Sequence, residues 1–430
     1  MALDAEEFRR RREEKARQRA QQHKKTVVKL VVAAVALVLC AVIIVSVVSS
    51  GRTQNPSETT GEILPPETAQ QTTGADTTQE STQPTQPPTT VIHLAAAGDL
   101  NVNNALVDSA GPDYDFSQVF LDVAHLLADA DVSVLNLEGV FCDPPYGDST
   151  CAPTTLLETL TDAGVDMLQL ANSCSINQGM SGLNRTITAV RSSGITPLGV
   201  FATNQEFKQS KGYTIREVQG VRIAFVAFTK GMDGLALPEG NEDCVNVLYK
   251  DYASTYQQID TEGITQVLEN VKKAKPDLTV ALLHWGSAFN NTISASQEQI
   301  CQLMQQNGVD AIIGTHSHYV QQMLHDPETG SFVAYSLGDF CSDAQRAGTE
   351  YSVVLDLEIT KDNTSGDTRI TGYSYTPIFS VAEKDKPLKV VRLREAMAAY
   401  EAGFIDGVSQ QTYEAMKYAL TRIEARIAGE

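Results

Sequence analysis

Residues 308–323 read GVDAIIGTHSHYVQQM. The apolar run Val309–Ile313 has the length and β-branched content of a buried strand. A glycine and a threonine then lead into two histidines one residue apart, His316 and His318. Side chains alternate faces along an extended chain, so an H-x-H pair in extended backbone aims both imidazoles to one side.

The same arrangement, an apolar run followed by a polar or ionisable residue, recurs on both sides of this stretch. Val91–Ala97 precedes Gly98-Asp99, Val132–Leu137 precedes Glu138, and Asp166–Ala171 precedes Asn172-Ser173-Cys174. Val221–Phe228 precedes Thr229-Lys230, Leu278–Leu283 precedes His284-Trp285-Gly286, and Phe332–Leu337 precedes Gly338-Asp339. Segments of helical spacing lie between many of the runs: Ser117–Ala130, Pro153–Ala163, Ser181–Ser193, Ser254–Ala274 and Ser294–Asn307. That alternation predicts an α/β domain. Phe332–Leu337, Tyr351–Ile359 and Thr368–Tyr375 have no helix between them, which predicts antiparallel strands, and Leu388–Ile427 has helical spacing.

Ligands of open α/β sheets bind outside the carboxyl ends of the strands. Taken singly, each polar residue there has a structural reading: Asp99 as a cap, Glu138 as a satisfied loop acid, His284 as a core histidine. Taken together they are harder to dismiss, because three of only seven histidines and the single tryptophan fall in this set. Two carboxylates and three imidazoles form an N/O set for one or two Mn, Fe or Zn ions. Such a pair of ions activates a water and clamps a phosphoryl group.

The chain of 430 residues carries 33 Lys or Arg and 53 Asp or Glu, a net charge of −20. That balance argues against a nucleic-acid binder, which needs an excess of cations against phosphates. The charge is uneven. Residues 1–29 hold ten Lys or Arg against five acids, leaving −25 on residues 30–430. Leu30–Val48 is apolar, without a charge or a proline, and as a helix would reach ~28 Å, close to a bilayer's hydrocarbon thickness. A basic flank on one side predicts a single-pass signal anchor, with residues 1–29 cytoplasmic and the remainder extracellular. Residues 49–90 are rich in Thr, Gln and Pro and predict a disordered spacer. Residues 91–385 follow as the folded domain, and 386–430 as a C-terminal helical segment.

The motifs AAAGDL, VLNLEGVF, LANSCSINQG, LLHWG, GVDAIIGTHSHYVQQM and YSLGDF resemble, in order and spacing, those of the CapA family. That family is named for poly-γ-glutamate capsule synthesis proteins and is similar to the calcineurin-like metallophosphoesterases. The resemblance runs from about Val91 to about Phe379. It implies a four-layer α-β-β-α sandwich with a dinuclear metal centre. Asp99 would be the first metal-binding aspartate, Glu138 the bridging carboxylate, and His284, His316 and His318 further ligands. It also implies a membrane-anchored protein of a Gram-positive envelope, with an anionic envelope polymer and capsule-synthesis partners.

The chain departs from the family where LANSCSINQG replaces the usual L-A-N-N-H-x-x-D-x-G. Ser173 stands in place of a metal-binding Asn, Cys174 in place of a His that assists the leaving group, and Asn177 in place of an Asp. Asp339 replaces an Asn. Ser173 therefore joins the metal candidates, and Cys174 joins His284 as a catalytic candidate. Asn172, Lys230, Trp285 and Asp339 are the substrate-binding candidates. Three alternatives stay open: Cys174 as a thiolate ligand, Cys174 paired with Cys341, and Asp339 as a substitute carboxylate ligand. Cys142 and Cys151, in a short loop with Pro144, Pro145 and Gly147, are the disulfide candidates; closing so small a loop contributes roughly 2.5–3 kcal/mol in the chain-entropy estimate. The site would be either a metal-dependent hydrolase or transferase, or a degraded pseudoenzyme that binds a polymer or a partner.

Overall fold

The computed structural model describes residues 88–404 and 407–430. The basic segment 1–29, the apolar run 30–48 and all but the last residues of the 49–90 spacer lie outside the described residues. Among the described residues no helix is long and apolar enough to cross a membrane.

Two mixed sheets form the centre. The first orders its strands β15 (Lys389–Arg392), β14 (Thr368–Val381), β13 (Tyr351–Asp362), β1 (Thr89–Asn101), β2 (Val132–Glu138), β5 (Met167–Gln169) and β6 (Thr196–Leu198). The second runs β11 (Met323–Asp326), β12 (Ser331–Ala334), β10 (Ala311–Thr315), β9 (Leu278–His284), β8 (Val221–Thr229) and β7 (Thr214–Val218). A two-stranded ribbon pairs β3 (Val140–Phe141) with β4 (Cys151–Ala152).

Residue alternation assigns the layers. Ile92, Leu94 and Ala96 of β1 share a core with Ile223, Phe225 and Ala227 of β8 and Val280 and Leu282 of β9, so one face of each sheet meets the other. Ala95 and Ala97 point the opposite way, into a core with α1 (Thr155–Asp162) and α2 (Gly179–Ser192). Beyond the second sheet, Ala224, Val226, Ala281 and Leu283 pack on α3 (Thr261–Ala274) and α4 (Ala295–Gln306). The molecule is a mixed α/β sandwich with helices on both outer faces. α4 starts at a capping box, the Ser294 hydroxyl taking the Gln297 N–H while the Gln297 side chain reaches back to the Ser294 N–H.

Four elements differ from the sequence reading. The helix expected from Ser254 begins only at Thr261, because the Asp251 carboxylate takes the backbone N–H groups of Gln257 (2.8 Å) and Gln258 (3.0 Å) and holds a turn there. The helix expected over 117–130 parts into Ser117–Phe120 and Ala124–Ala128, where Val123 and Leu126 donate three residues back and tighten the backbone. β12 is antiparallel to β11 but parallel to β10, so it extends the α/β part of its sheet. The segment 386–430 is not wholly helical. Its β-branched Val390 and Val391 lie in edge strand β15, and α5 (Leu393–Glu401) and α6 (Gln410–Ala428) bury Leu393, Met416, Ala419 and Ile423 in the core between the sheets.

Candidate metal centre

The strand ends carry the site. Glu138 is the last residue of β2, His284 of β9, and Thr315 of β10. Thr315 stands opposite His284 in the parallel register, so these ends lie side by side. In β1 the register against β2 shifts between Ala97 and Asp99, a bulge that re-aims Asp99 at the sheet's end. Gly98 makes this possible: a Cβ there would lie 1.8 Å from the Gly338 carbonyl oxygen, the group that accepts the Asp99 N–H at 3.0 Å.

Six side chains form two triads, Asp99–His318–Asp339 and Glu138–His284–His316, all buried except the partly exposed His318, and within each the donor atoms lie within 4.8 Å of one another. Asn136 Nδ2 donates to Asp99 Oδ1 (2.6 Å), and the His316 backbone N–H donates to Oδ2 (3.0 Å). Thr315 Oγ1 lies 3.2 Å from His284 Nδ1, and Ser173 Oγ 3.0 Å from its Nε2. Glu138 Oε1 is 3.1 Å from the same Nε2 without aligning as a hydrogen bond. Asp339 Oδ1 is 2.8 Å from His318 Nδ1.

The H-x-H pair divides between the triads instead of pointing one way. His316 and His318 have φ of 87° and 60°, so the segment is not extended and the alternation argument does not apply to it. Asp339, expected to contact substrate, stands among the metal candidates.

The electrostatics describe carboxylates and imidazoles crowded out of water. Burial raises the Asp99 carboxyl, and burial with the nearby Asp99 charge raises Glu138 well above the usual range. Burial lifts Asp339 to about 7. His284 and His316 are held well below the ordinary histidine value, burial first and neighbouring cations second. For His318 burial acts downward but is outweighed by the Asp339 hydrogen bond and the Asp339, Glu138 and Asp99 charges, which push it up to about 10. Glu138 Oε1 and His316 Nδ1 are buried with no hydrogen-bond partner. Two orphaned buried donors in a set of three carboxylates and three imidazoles fit divalent cations, which would neutralise the carboxylates and occupy the free lone pairs.

Other candidates fall elsewhere. Trp285 is wholly buried, donates Nε1–H to the Tyr335 carbonyl (2.9 Å) and stacks on the Tyr335 ring, so it packs as a core residue. Asn172 has no free group: Nδ2 donates to Asn136 Oδ1 (3.0 Å) and the Leu137 carbonyl (2.7 Å), while Oδ1 accepts the Cys174 N–H (3.0 Å). It positions Asn136, and through it Asp99. Cys174 is a free, buried thiol pushed well above its ordinary value by burial and then by Glu138, and it belongs to neither triad. Cys174 and Cys341 are both free, so the alternative that pairs them is corrected. Cys142 and Cys151 form a disulfide with Cα atoms 5.7 Å apart. Lys230 Nζ donates to the Gly286 carbonyl (2.7 Å), and burial lowers its pKa.

Sequence reasoning overlooked Asn136, Thr315, Asp233, Phe289 and Arg346. Asn136 was within reach, since it shares a strand face with Glu138 two residues on. Asp233, an exposed residue at φ 49° whose charge acts on Glu138 and Lys230, lies in a loop with no motif.

Comparison with known proteins places this site in context. The family model described as "Bacterial capsule synthesis protein PGA_cap" matches residues 93–344. The capsule biosynthesis protein CapA of Bacillus anthracis is 27% identical over 209 residues, covering 49% of this chain and 48% of that protein. The PGA biosynthesis protein CapA of Bacillus subtilis (strain 168) is 23% identical over 240 residues, covering 56% and 57%. The chain thus spans about half the length of the curated relatives it matches. Among solved structures, the calcineurin-like phosphoesterase YfkN of Bacillus subtilis aligns with a TM-score of 0.43 at 15% identity, covering 77% of this chain and 100% of that one.

Proposed function

Because the chain belongs to the bacterial capsule synthesis protein PGA_cap family, we propose that it is a membrane-anchored extracellular protein that handles an anionic envelope polymer by metal-dependent hydrolysis or transfer. Capsule-related work follows from the family. Poly-γ-glutamate as the polymer, a phosphate ester or an amide as the bond, and capsule-synthesis partners are this proposal's finer content. The observation that carries it is the pair of triads, with Glu138 Oε1 and His316 Nδ1 buried and unpartnered.

Asp99, His318 and Asp339 would hold one ion and Glu138, His284 and His316 the other. Divalent Mn, Fe or Zn there would supply Lewis acidity and a water acidic enough to attack near neutrality. The chain's own part is orientation. Asn136 and the His316 N–H fix the Asp99 carboxylate, and Thr315 fixes the His284 ring through Nδ1.

The test is turnover of bis-p-nitrophenyl phosphate and of γ-linked glutamate oligomers by the full-length chain supplied with Mn, Fe or Zn. Turnover that falls at least ~100-fold in His316→Ala supports the proposal. A second reading has an observation of its own: Ser173 and Cys174 provide neither an amide ligand nor an imidazole acid. Bound metal without turnover on any of these substrates would favour a pseudoenzyme that binds the polymer or a synthesis partner.

A further inference from the structure

We propose that Arg346, carried on the ring of Phe289, is the specificity contact of this site, and that its guanidinium receives an oxyanion of the bound polymer beside the Asp99 triad. The inference deepens the function proposed above and rests on it for where the reacting group lies.

Phe289 is 41% exposed and has φ of 57°, a left-handed conformation that an aromatic residue adopts only when its surroundings hold it there. Its ring stacks on His318, with centroids 4.6 Å apart and planes 19° from parallel. On the same ring sits the Arg346 guanidinium, 3.8 Å from the centroid. Core packing does not account for an exposed strained aromatic placed between a candidate metal ligand and an arginine.

Arg346 is also unspent. Arg185, Arg191, Arg216, Arg392 and Arg394 each face a carboxylate. Arg346 makes no ion pair or side-chain hydrogen bond among the described residues; its partner is the ring. Its loop is nonetheless fixed. Tyr319 Oη donates to the Ala347 carbonyl (3.2 Å), Thr349 Oγ1 donates to the Arg346 carbonyl (2.8 Å), and the Phe289 N–H donates to the Ser317 carbonyl (2.9 Å). A Cβ on Gly348 would come within 3.0 Å of the Tyr319 ring, so this loop lies close against the H-x-H segment.

The result is a free guanidinium, with five donors in a planar fork, held one ring away from His318. That fork matches a carboxylate or a phosphate in two parallel hydrogen bonds. Lys230 is its counterpart beside the other triad, a point charge already giving one hydrogen bond to the Gly286 carbonyl and lying 4.5 Å over the Tyr256 ring. In a chain of net charge −20, two cations at the site lessen the repulsion that a polyanion meets there.

The experiment is equilibrium binding of two probes, inorganic phosphate and a γ-linked glutamate pentamer, to the full-length chain in mild detergent. It is run at two salt concentrations, with bound metal measured on the same samples. Arg346→Ala is expected to weaken binding of at least one probe tenfold or more and to flatten its salt dependence, with bound metal unchanged. Which probe loses affinity says whether the oxyanion is a carboxylate, a phosphate or either. Arg346→Lys, which keeps the charge and loses the fork, should recover only part. Phe289→Leu should weaken binding about threefold by freeing the arginine from its platform. Arg346→Ala binding both probes within twofold of wild type would overturn the inference, as would a wild-type chain that binds neither. A wild type that binds the probes but holds no metal would sink the hydrolase reading, while the Arg346 comparison would still decide this one.

Discussion

His318 is where the charge balance of the centre is set. Its imidazole is held protonated up to about 10 by Asp339, Glu138 and Asp99, yet a metal takes only a neutral imidazole. Near pH 7.5 metal binding must therefore expel that proton, and affinity should rise as pH climbs from 6 towards 10. Calorimetric titration of metal into the metal-free chain, in two buffers of different ionisation enthalpy, should show at least one proton released per chain; none would show that His318 stays outside the coordination shell. Cys174 gives a contrasting expectation. As a buried protonated thiol it should be replaceable by alanine with bound metal unchanged, at a stability loss of about 1 kcal/mol on the scale of one buried methylene. Mass-spectrometric metal analysis beside a thermal melt checks both halves. At this scale the convergence of five strand-end candidates was legible, because a series of ionisable residues after successive apolar runs points to one end of the sheets even where each residue alone has a structural reading. That Trp285 turns onto Tyr335 and Asn172 onto Asn136 was not legible, because rarity and polarity do not reveal which way a side chain turns. The split of His316 from His318 depends on two positive φ angles that their residue types do not announce.

At the scale of elements, the bulge in β1 makes a sharp expectation. Gly98→Ala would drive a Cβ onto the Gly338 carbonyl, 1.8 Å away in the present backbone, and so push the strand end apart. Overpacking of this kind costs about 1–3 kcal/mol, and because Asp99 follows directly, bound metal should fall along with the melting temperature. A variant that melts lower but keeps its full metal would show that the bulge does not place Asp99. Strands were legible here because buried runs such as Val132–Leu137 and Leu278–Leu283 are dominated by apolar and β-branched residues, with most of the ionisable side chains just beyond them. Element ends were less so: Asp251 stops the helical pattern before Thr261 by capturing two backbone donors, a local competition that periodicity does not register. The pairing of β12 with β10 depends on contacts between distant segments, which a hairpin argument based on missing helices overlooks.

For the whole molecule, the face-to-face sheets and their outer helices follow from alternation within strands, and the family from motif order. The proposed membrane anchor rests on the apolar run 30–48 and its basic flank. It predicts that the full-length chain sediments with membranes and stays there in high salt, and that deleting residues 30–48 releases it. Recovery of the intact chain in the soluble fraction would overturn that expectation. What ties residue, element and molecule together is the claim that six side chains at converging strand ends, five of them buried, form a two-ion centre. The most direct test is the number of metal ions bound per folded full-length chain, measured by mass spectrometry after expression with Mn, Fe and Zn supplied. The account predicts about two, falling to about one when Asp339→Ala removes a ligand from the Asp99 triad alone, and to none when His316→Ala is added. Folded chain that binds no metal at all would contradict it.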